Sequence, residues 1–409
     1  MTRERLLTRP FALAFVAHFL HALSFNLFLH LPGLLRRFGA DEDGIGVVMG
    51  MAGATALLAR PALGRAIDER GRRPVAIAGG ALGVVACSAY LLVDSVGPAL
   101  FAIRLTHGLS EAMLFASLFA LAADVVPASR RIEGLGLFGV SGLVPIALGG
   151  LIGDRVLASF DYRALFTLAV TCSAVGTALS LGLPETRGAA GEPSRGLGAA
   201  LRQRDLVPLW VAGLGFAIAL AAPFTFAKTL VLERPVLGEV GPFFGAYTVG
   251  AVGVRLVGGR IPERFGPKRT LFPAMAMMTI GLVVVAVAAS PRALWIAGVL
   301  LGAGHGWVFP ILTGLVVSRA RDRERGAALS IYTGLFDAGL LVGAPCFGWL
   351  ARHADHGRMF GAAALVTVAA AIAFGVHDGR VATGHGSVRS RRLGDLPGDD
   401  QPAPRAPMD

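Results

Sequence analysis

Long apolar runs, broken by short polar segments, dominate the chain. Twelve such runs begin near Phe11, Gly44, Pro74, Gly97, Gly134 and Tyr162, then near Leu206, Gly241, Thr270, Ala293, Ala327 and Met359. Each holds about 20 mostly apolar residues, the length a helix needs to cross a bilayer. The pattern predicts an all-α integral membrane protein with twelve transmembrane helices. Residues 185–205 are rich in Gly, Ala, Pro and Arg and read as a cytoplasmic linker. From 379 the chain is polar, with Pro and Gly, and is expected to be a disordered cytoplasmic tail. The expected organisation is a six-helix bundle over 1–184, the linker over 185–205, a second six-helix bundle over 206–378, and the tail over 379–409.

Composition supports lipid as the solvent. Of 409 residues, 54% are hydrophobic and 16% are charged, and mean hydropathy is +0.63. A soluble domain carries about 25% charged residues. The net charge of +11 does not point to nucleic acid, because the arginines sit in short runs between apolar segments. With the N-terminus inside, the inside segments carry 26 Lys and Arg and the outside loops 8, which puts both termini in the cytoplasm. Only Lys228 and Lys268 are lysines, and the Arg, Ala and Gly bias suggests a bacterial cytoplasmic membrane. The run from Phe11 is too long for a signal-peptide core. Cys87, Cys172 and Cys346 lie far apart in apolar stretches. They imply no disulfide framework and no metal site, and no cofactor is expected.

The two halves repeat. At an offset of 195 residues, Arg60 falls on Arg255, Gly64-Arg65 on Gly259-Arg260, and Gly71 on Gly266. The offset drifts to 198 for His107-Gly108 on His305-Gly306, and to 192 for Gly134 and Gly142 on Gly326 and Gly334. Parallel six-helix repeats place a substrate site near the bilayer midplane, between the halves.

Between spans two and three the chain reads Gly64-Arg65-Ala66-Ile67-Asp68-Glu69-Arg70-Gly71-Arg72-Arg73. A degenerate copy follows span eight, with Gly259, Glu263 and Gly266, and with Pro267 interrupting the basic pair. Gly71 can take the positive φ of a tight turn, and a carboxylate can lie against a helix N-terminus. Span four carries Arg104, His107 and Gly108. Span five carries Gly142, Pro145, Gly149 and Gly150. Together these resemble the loop, fourth-helix and fifth-helix signatures of the major facilitator superfamily, over almost the whole chain. The resemblance implies two pseudo-symmetric six-helix bundles that work as a transporter. It implies that Asp68 docks on helix eleven, and that Arg72 or Arg73 pairs with Asp124 at the inner end of helix four, so closing a cytoplasmic gate. The degenerate second loop is expected to latch more weakly. The fifth-helix match is partial, since Val144 precedes Pro145, and it leans towards export.

Ionisable residues inside spans are costly, about 2.5–3.5 kcal/mol each on insertion scales. Arg104, His107 and Glu111 share one face of helix four and are expected to line a cavity. Asp337 in helix eleven has no charged neighbour within one turn, so a partner must come from another helix. His305 in helix ten and His18, His21 and Asn26 in helix one are further substrate or proton candidates. For the helix-one histidines, hydrogen-bonded packing, substrate or proton contact, and a metal all stay open. Arg60 and Arg255 are expected to snorkel to the interface. Of the two carboxylates at membrane depth, Asp337 is favoured as proton carrier and Glu111 as substrate contact.

The chain contains no G-x4-G-K-[ST] nucleotide loop. It also contains neither His-Glu-x-x-His nor Gly-x-Ser-x-Gly, which argues against a membrane enzyme. The expected function is a secondary transporter of a small organic molecule, proton-coupled and exporting, working as a monomer in the bilayer. An uptake symporter on the same fold is the alternative.

Overall fold

A computed structural model describes residues 5–127, 130–186, 197–259, 261–321 and 324–384, except the side chains of 131–132, 263 and 379–384. It contains twelve helices long and apolar enough to cross a membrane. They are α1 (Arg9–Arg37), α2 (Glu42–Arg70), α3 (Arg72–Leu92), α4 (Pro98–Val125), α5 (Glu133–Ser159) and α6 (Tyr162–Ser180), followed by α7 (Arg204–Glu233), α8 (Val240–Gly258), α9 (Pro267–Ala286), α10 (Pro291–Arg319), α11 (Arg325–His353) and α12 (His356–Asp378). Among the described residues there is no strand. Every start lies within three residues of its expected position.

Helix ends follow local chemistry. The side chains of Asp41 and Asp161 accept from the backbone N–H of Gly44 and Ala164, both at 2.9 Å, and so cap α2 and α6. Ser290 caps α10. Proline opens α4, α9 and α10, where its missing N–H costs nothing. Gly71 ends α2 at φ +100°, and Gly266 precedes α9 at φ +92°. The two loop signatures therefore make the same left-handed turn, one that favours glycine.

The internal repeat reappears in the packing. In the first half α1 packs on α5 and α6, α2 on α4, and α3 on α4 and α6. In the second half α7 packs on α11 and α12, α8 on α10, and α9 on α10 and α12. The halves meet through α2 against α11 and α5 against α8, a reciprocal pair under the repeat.

Small residues permit that approach. A Cβ at Gly53 would sit 2.7 Å from the Asp337 carbonyl oxygen, and one at Gly50 would sit 3.0 Å from that of Leu341. A Cβ at Gly46 would overlap the Ala344 carbonyl. With helices this close, backbone-to-backbone dispersion replaces the hydrophobic term that lipid does not supply.

Two boundaries differ from expectation. The last helix continues as backbone to Gly384, past 378, and the expected tail over 385–409 lies outside the described residues. The linker is partly built into the fold. Leu197–Leu201 is a short helix, and Glu185 accepts from the backbone N–H of Arg72 at 2.9 Å. Residues 187–196 lie outside the described residues.

Candidate functional site

The intramembrane polar residues fall into separate groups, some inside one half and some at the seams where Arg60 meets Asp337 and Asp154 meets Lys228. The helix-four stripe divides by environment. Arg104 is 3% exposed and His107 is buried. Arg104 points at the ring of Phe25, 5.9 Å from its centroid, with Nη2 3.7 Å from the Met49 sulfur. His107 lies among Phe25, Phe28 and Tyr90, with ring centroids 4.5 to 5.8 Å away. Glu111, two turns further on, is half-buried and makes no hydrogen bond or ion pair among the described residues.

The second half carries a counterpart. His305, at the position matching His107, is bonded through Nδ1 to the Tyr247 hydroxyl. It is ringed by Phe216, Tyr247 and Phe309. Each half thus holds one deeply placed imidazole inside an aromatic cage. The cage residues of one half have no matching aromatics in the other, so the sequence repeat did not disclose them.

The helix-one residues separate. His18 Nδ1 lies 2.7 Å from the Ser141 hydroxyl on α5, under Phe138 and Phe119. His21 is buried, and neither ring nitrogen has a partner. Asn26 turns back to the carbonyl of Ala22 at 2.8 Å. The fifth-helix glycines explain why α1 can lie so near: Gly149 faces the Asn26 backbone, Gly142 faces His18, and Gly150 meets Gly241 of α8 across the halves. Among the described residues, no group of three His, Cys, Asp or Glu is arranged to hold a metal.

Arg60 does not snorkel. It turns inward to Asp337 on α11, with its guanidinium 2.5 Å from Oδ2, and also donates to Thr333 Oγ1 at 2.8 Å. The reason is proximity: the glycines of α2 bring α11, and with it the Asp337 carboxylate, within reach. Asp337 therefore has its partner on another helix, in the other half. Arg255 likewise stays inside, donating Nε–H to the Gly306 carbonyl at 3.3 Å.

At the loop-signature end, Arg72 Nε donates to Asp124 at 3.0 Å, and Thr186 donates to the same oxygen at 2.9 Å. Arg73 donates instead to the Leu181 carbonyl. Asp68 is not docked on α11. Its side chain is 78% exposed and lies 3.9 Å from Arg72. The acid at a helix start here is Glu185, which caps α3. In the second half, Lys268 pairs with Asp378 of α12, and Arg319 of α10 lies 2.6 Å from that same carboxylate. The second loop is thus held by an acid on the last helix. The Glu263 side chain and Arg260 lie outside the described residues.

The opposite end holds a cluster that sequence reading missed. Asp154 on α5 is buried and accepts from Lys228 of α7 at 3.0 Å and from the Gly241 backbone N–H at 2.5 Å, with His30 3.6 Å away. Nearby, Arg36 pairs with Glu42 at 2.7 Å, His356 lies 2.6 Å from Glu233 and 3.8 Å from Glu42, and Arg352 bridges Asp41 and Asp43. Asp154 stands within two turns of the end of its helix, and nothing in the sequence pattern singles it out. Only its partners on α1, α7 and α8 reveal it as a tie between halves.

The Major Facilitator Superfamily profile matches residues 12–261 and 236–397. Multidrug resistance protein MdtH of Yersinia pestis is 33% identical over 131 residues. That stretch is 32% of this chain and spans about a third of the relative, 33% of its length. Among solved structures, the nucleoside transporter NupG covers 90% of this chain at TM-score 0.74 and 12% identity, with 99% of its own chain matched. The human organic anion transporter MFSD10 covers 90% at TM-score 0.71 and 17% identity, with all of its own chain matched. Twelve spans, a two-fold repeat in sequence and packing, and a profile match over most of the length make this chain a member of the Major Facilitator Superfamily, a multi-pass membrane protein.

Proposed function

We propose that the chain is a secondary active transporter that exports a small organic molecule across the bacterial cytoplasmic membrane in exchange for protons. One observation carries this reading. The ties between the halves run from mid-helix to the end bearing loop 38–41: Arg60–Asp337, then Asp154–Lys228, Arg36 to the Thr229 carbonyl, and Arg352 to Asp41 and Asp43. At the other end Asp68, the acid of the loop signature, stands exposed. The charge count of the loops makes that exposed end cytoplasmic. The conformation is then closed outside, with the inner latch undone, one end point of alternating access. Docking of Asp68 on α11 belongs to the other end point.

The likeness of 131 residues to a multidrug resistance protein supports export. Asp337 suits the coupling proton because its charge holds the halves together through Arg60. Protonation would remove one side of that tie, which links proton binding to movement. The chain acts as a monomer, since each half finds its partner within the same chain.

Purified protein in liposomes tests the reading. A radiolabelled panel of cationic dyes, sugars and aromatic carboxylates is offered with and without an imposed pH gradient. The expected result is transport of at least one class against its own gradient, driven by protons moving the other way. Transport only in the direction of the protons would establish the symport alternative. No gradient dependence for any class would reject coupling to protons.

A further inference from the structure

Four unpartnered polar atoms lie together in the first half. They are Nε and Nη1 of Arg104, the Tyr90 hydroxyl and Nδ1 of His107. All three side chains are at least 96% buried. Two of these groups are donors, and His107 Nδ1 donates in one tautomer. The third guanidinium nitrogen touches only the Met49 thioether, at 3.7 Å, a weak acceptor. The Tyr90 hydroxyl faces the Arg104 guanidinium as its polar neighbour, outside full hydrogen-bond geometry.

A guanidinium keeps its charge in any protein setting. Burying it without an anion is expensive, and native structures rarely leave such donors empty. The chain offers no anion here. Among the described residues no carboxylate stands within ion-pair distance of Arg104, while Arg60 and Arg72 each have one. Glu111 lies two turns along the same face, about 10 Å away along the helix axis, and is not paired with it. Three donor side chains therefore converge on a place where the protein supplies no acceptor. Around it stand the rings of Phe25, Phe28 and Phe166, which suit an apolar or aromatic body.

We infer that this cluster binds the transported molecule, and that the molecule carries a carboxylate or a like oxyanion on an apolar skeleton. The inference rests on the transport reading above and names the substrate class of that site. Arg104 takes the anion through charge-assisted hydrogen bonds, Tyr90 and His107 add one each, and the rings enclose the apolar part. Glu111 lies too far along the helix to meet the bound anion, which leaves it free to face another part of the molecule.

The test is equilibrium binding to the purified full chain in nanodiscs, in chloride-free buffer. The probes are 4-phenylbutyrate, 4-phenylbutylamine and 4-phenylbutanol, alike in skeleton and different in charge, with sodium chloride as a small-ion control. The carboxylate is expected to bind at least about tenfold more tightly than the amine or the alcohol. Arg104→Gln should abolish that preference, and Arg104→Lys should restore part of it. Tyr90→Phe keeps the ring and removes one donor. It should weaken the carboxylate about tenfold, and it carries the test if Arg104→Gln does not fold. Four results overturn the inference: amine or alcohol binding as tight as carboxylate binding, no carboxylate binding up to its solubility, affinity unchanged in the foldable variants, or chloride competing at equal concentration. Gradient-driven transport of another class, with no carboxylate binding, would sink this inference alone. Carboxylate binding without gradient-driven transport would sink the transport reading alone.

Discussion

Lys228 of the second half reaches Asp154 of the first, Nζ to Oδ1 at 3.0 Å, and both side chains are largely buried. The other oxygen of Asp154 takes the backbone N–H of Gly241 at the start of α8. One carboxylate thus joins α5 to two helices of the opposite half, and its charge is met by a cation and by a helix N-terminus. Removing the Asp154 carboxylate leaves the Lys228 ammonium without its partner.

We expect Asp154→Asn to loosen this end of the molecule. Breaking a buried pair by removing one partner costs about 3–5 kcal/mol. The variant should melt at lower temperature, and cysteine pairs across loops 38–41 and 354–355 should crosslink less. The double change Asp154→Asn with Lys228→Met should recover much of the loss. A double variant no more stable than the single one would show that the pair does not hold the ends together.

Asp68→Asn should leave the protein inserted and folded but slow transport severely. The side chain is exposed here, so stability should stay within about 0.5 kcal/mol. The effect should fall on turnover, because the acid is needed only when the inner end closes. Wild-type turnover in vesicles would reject the latch assignment. Glu263→Gln, in the degenerate second copy, should do less.

Arg72→Glu should impair the protein by placing two acids together where Arg72 now meets Asp124 at 3.0 Å. Combining it with Asp124→Arg should restore part of the transport. Recovery by the swap, read beside each single variant, distinguishes the pair from a general need for positive charge in the loop. Absence of any recovery would argue that the pair is incidental.

Asp337→Asn should abolish transport driven by a pH gradient while leaving substrate exchange in place. The substitution removes the exchangeable proton and one side of the tie to Arg60. Glu111→Gln should instead weaken substrate binding. If both variants keep full proton-driven transport, the carboxylates are not the coupling site, and the buried histidines become the candidates.

Gly53→Val should disturb the α2–α11 seam. A Cβ there would come within 2.7 Å of the Asp337 carbonyl oxygen, a rigid backbone atom, so the helices must separate. Expected outcomes are a lower melting temperature and weaker crosslinking across the seam. A variant as stable and as tightly crosslinked as the parent would mean that the helices do not pack this closely.

The linear sequence determined much of this protein, because membrane folds are governed by local rules. Each span must satisfy its own backbone hydrogen bonds inside lipid, so length and apolar content alone disclose twelve helices and their starts. The repeated Arg-x3-Gly-Arg-x6-Gly pattern disclosed two related halves, and both Gly71 and Gly266 occupy the turn their motif requires. Arg72 and Asp124 were legible as a pair because the family signature names both positions. Pairing across distant helices was not legible. Arg60 looked like a residue bound for the interface, yet it meets Asp337 from 277 positions away. Asp154 carried no signal in the sequence, yet it ties three other helices. Glu185 lay in the expected linker, yet it caps α3. The physical reason is the same in each case. A charge in low dielectric takes whichever partner the packing brings within about 3 Å, and that distance is a property of helix arrangement, which one-dimensional spacing does not encode.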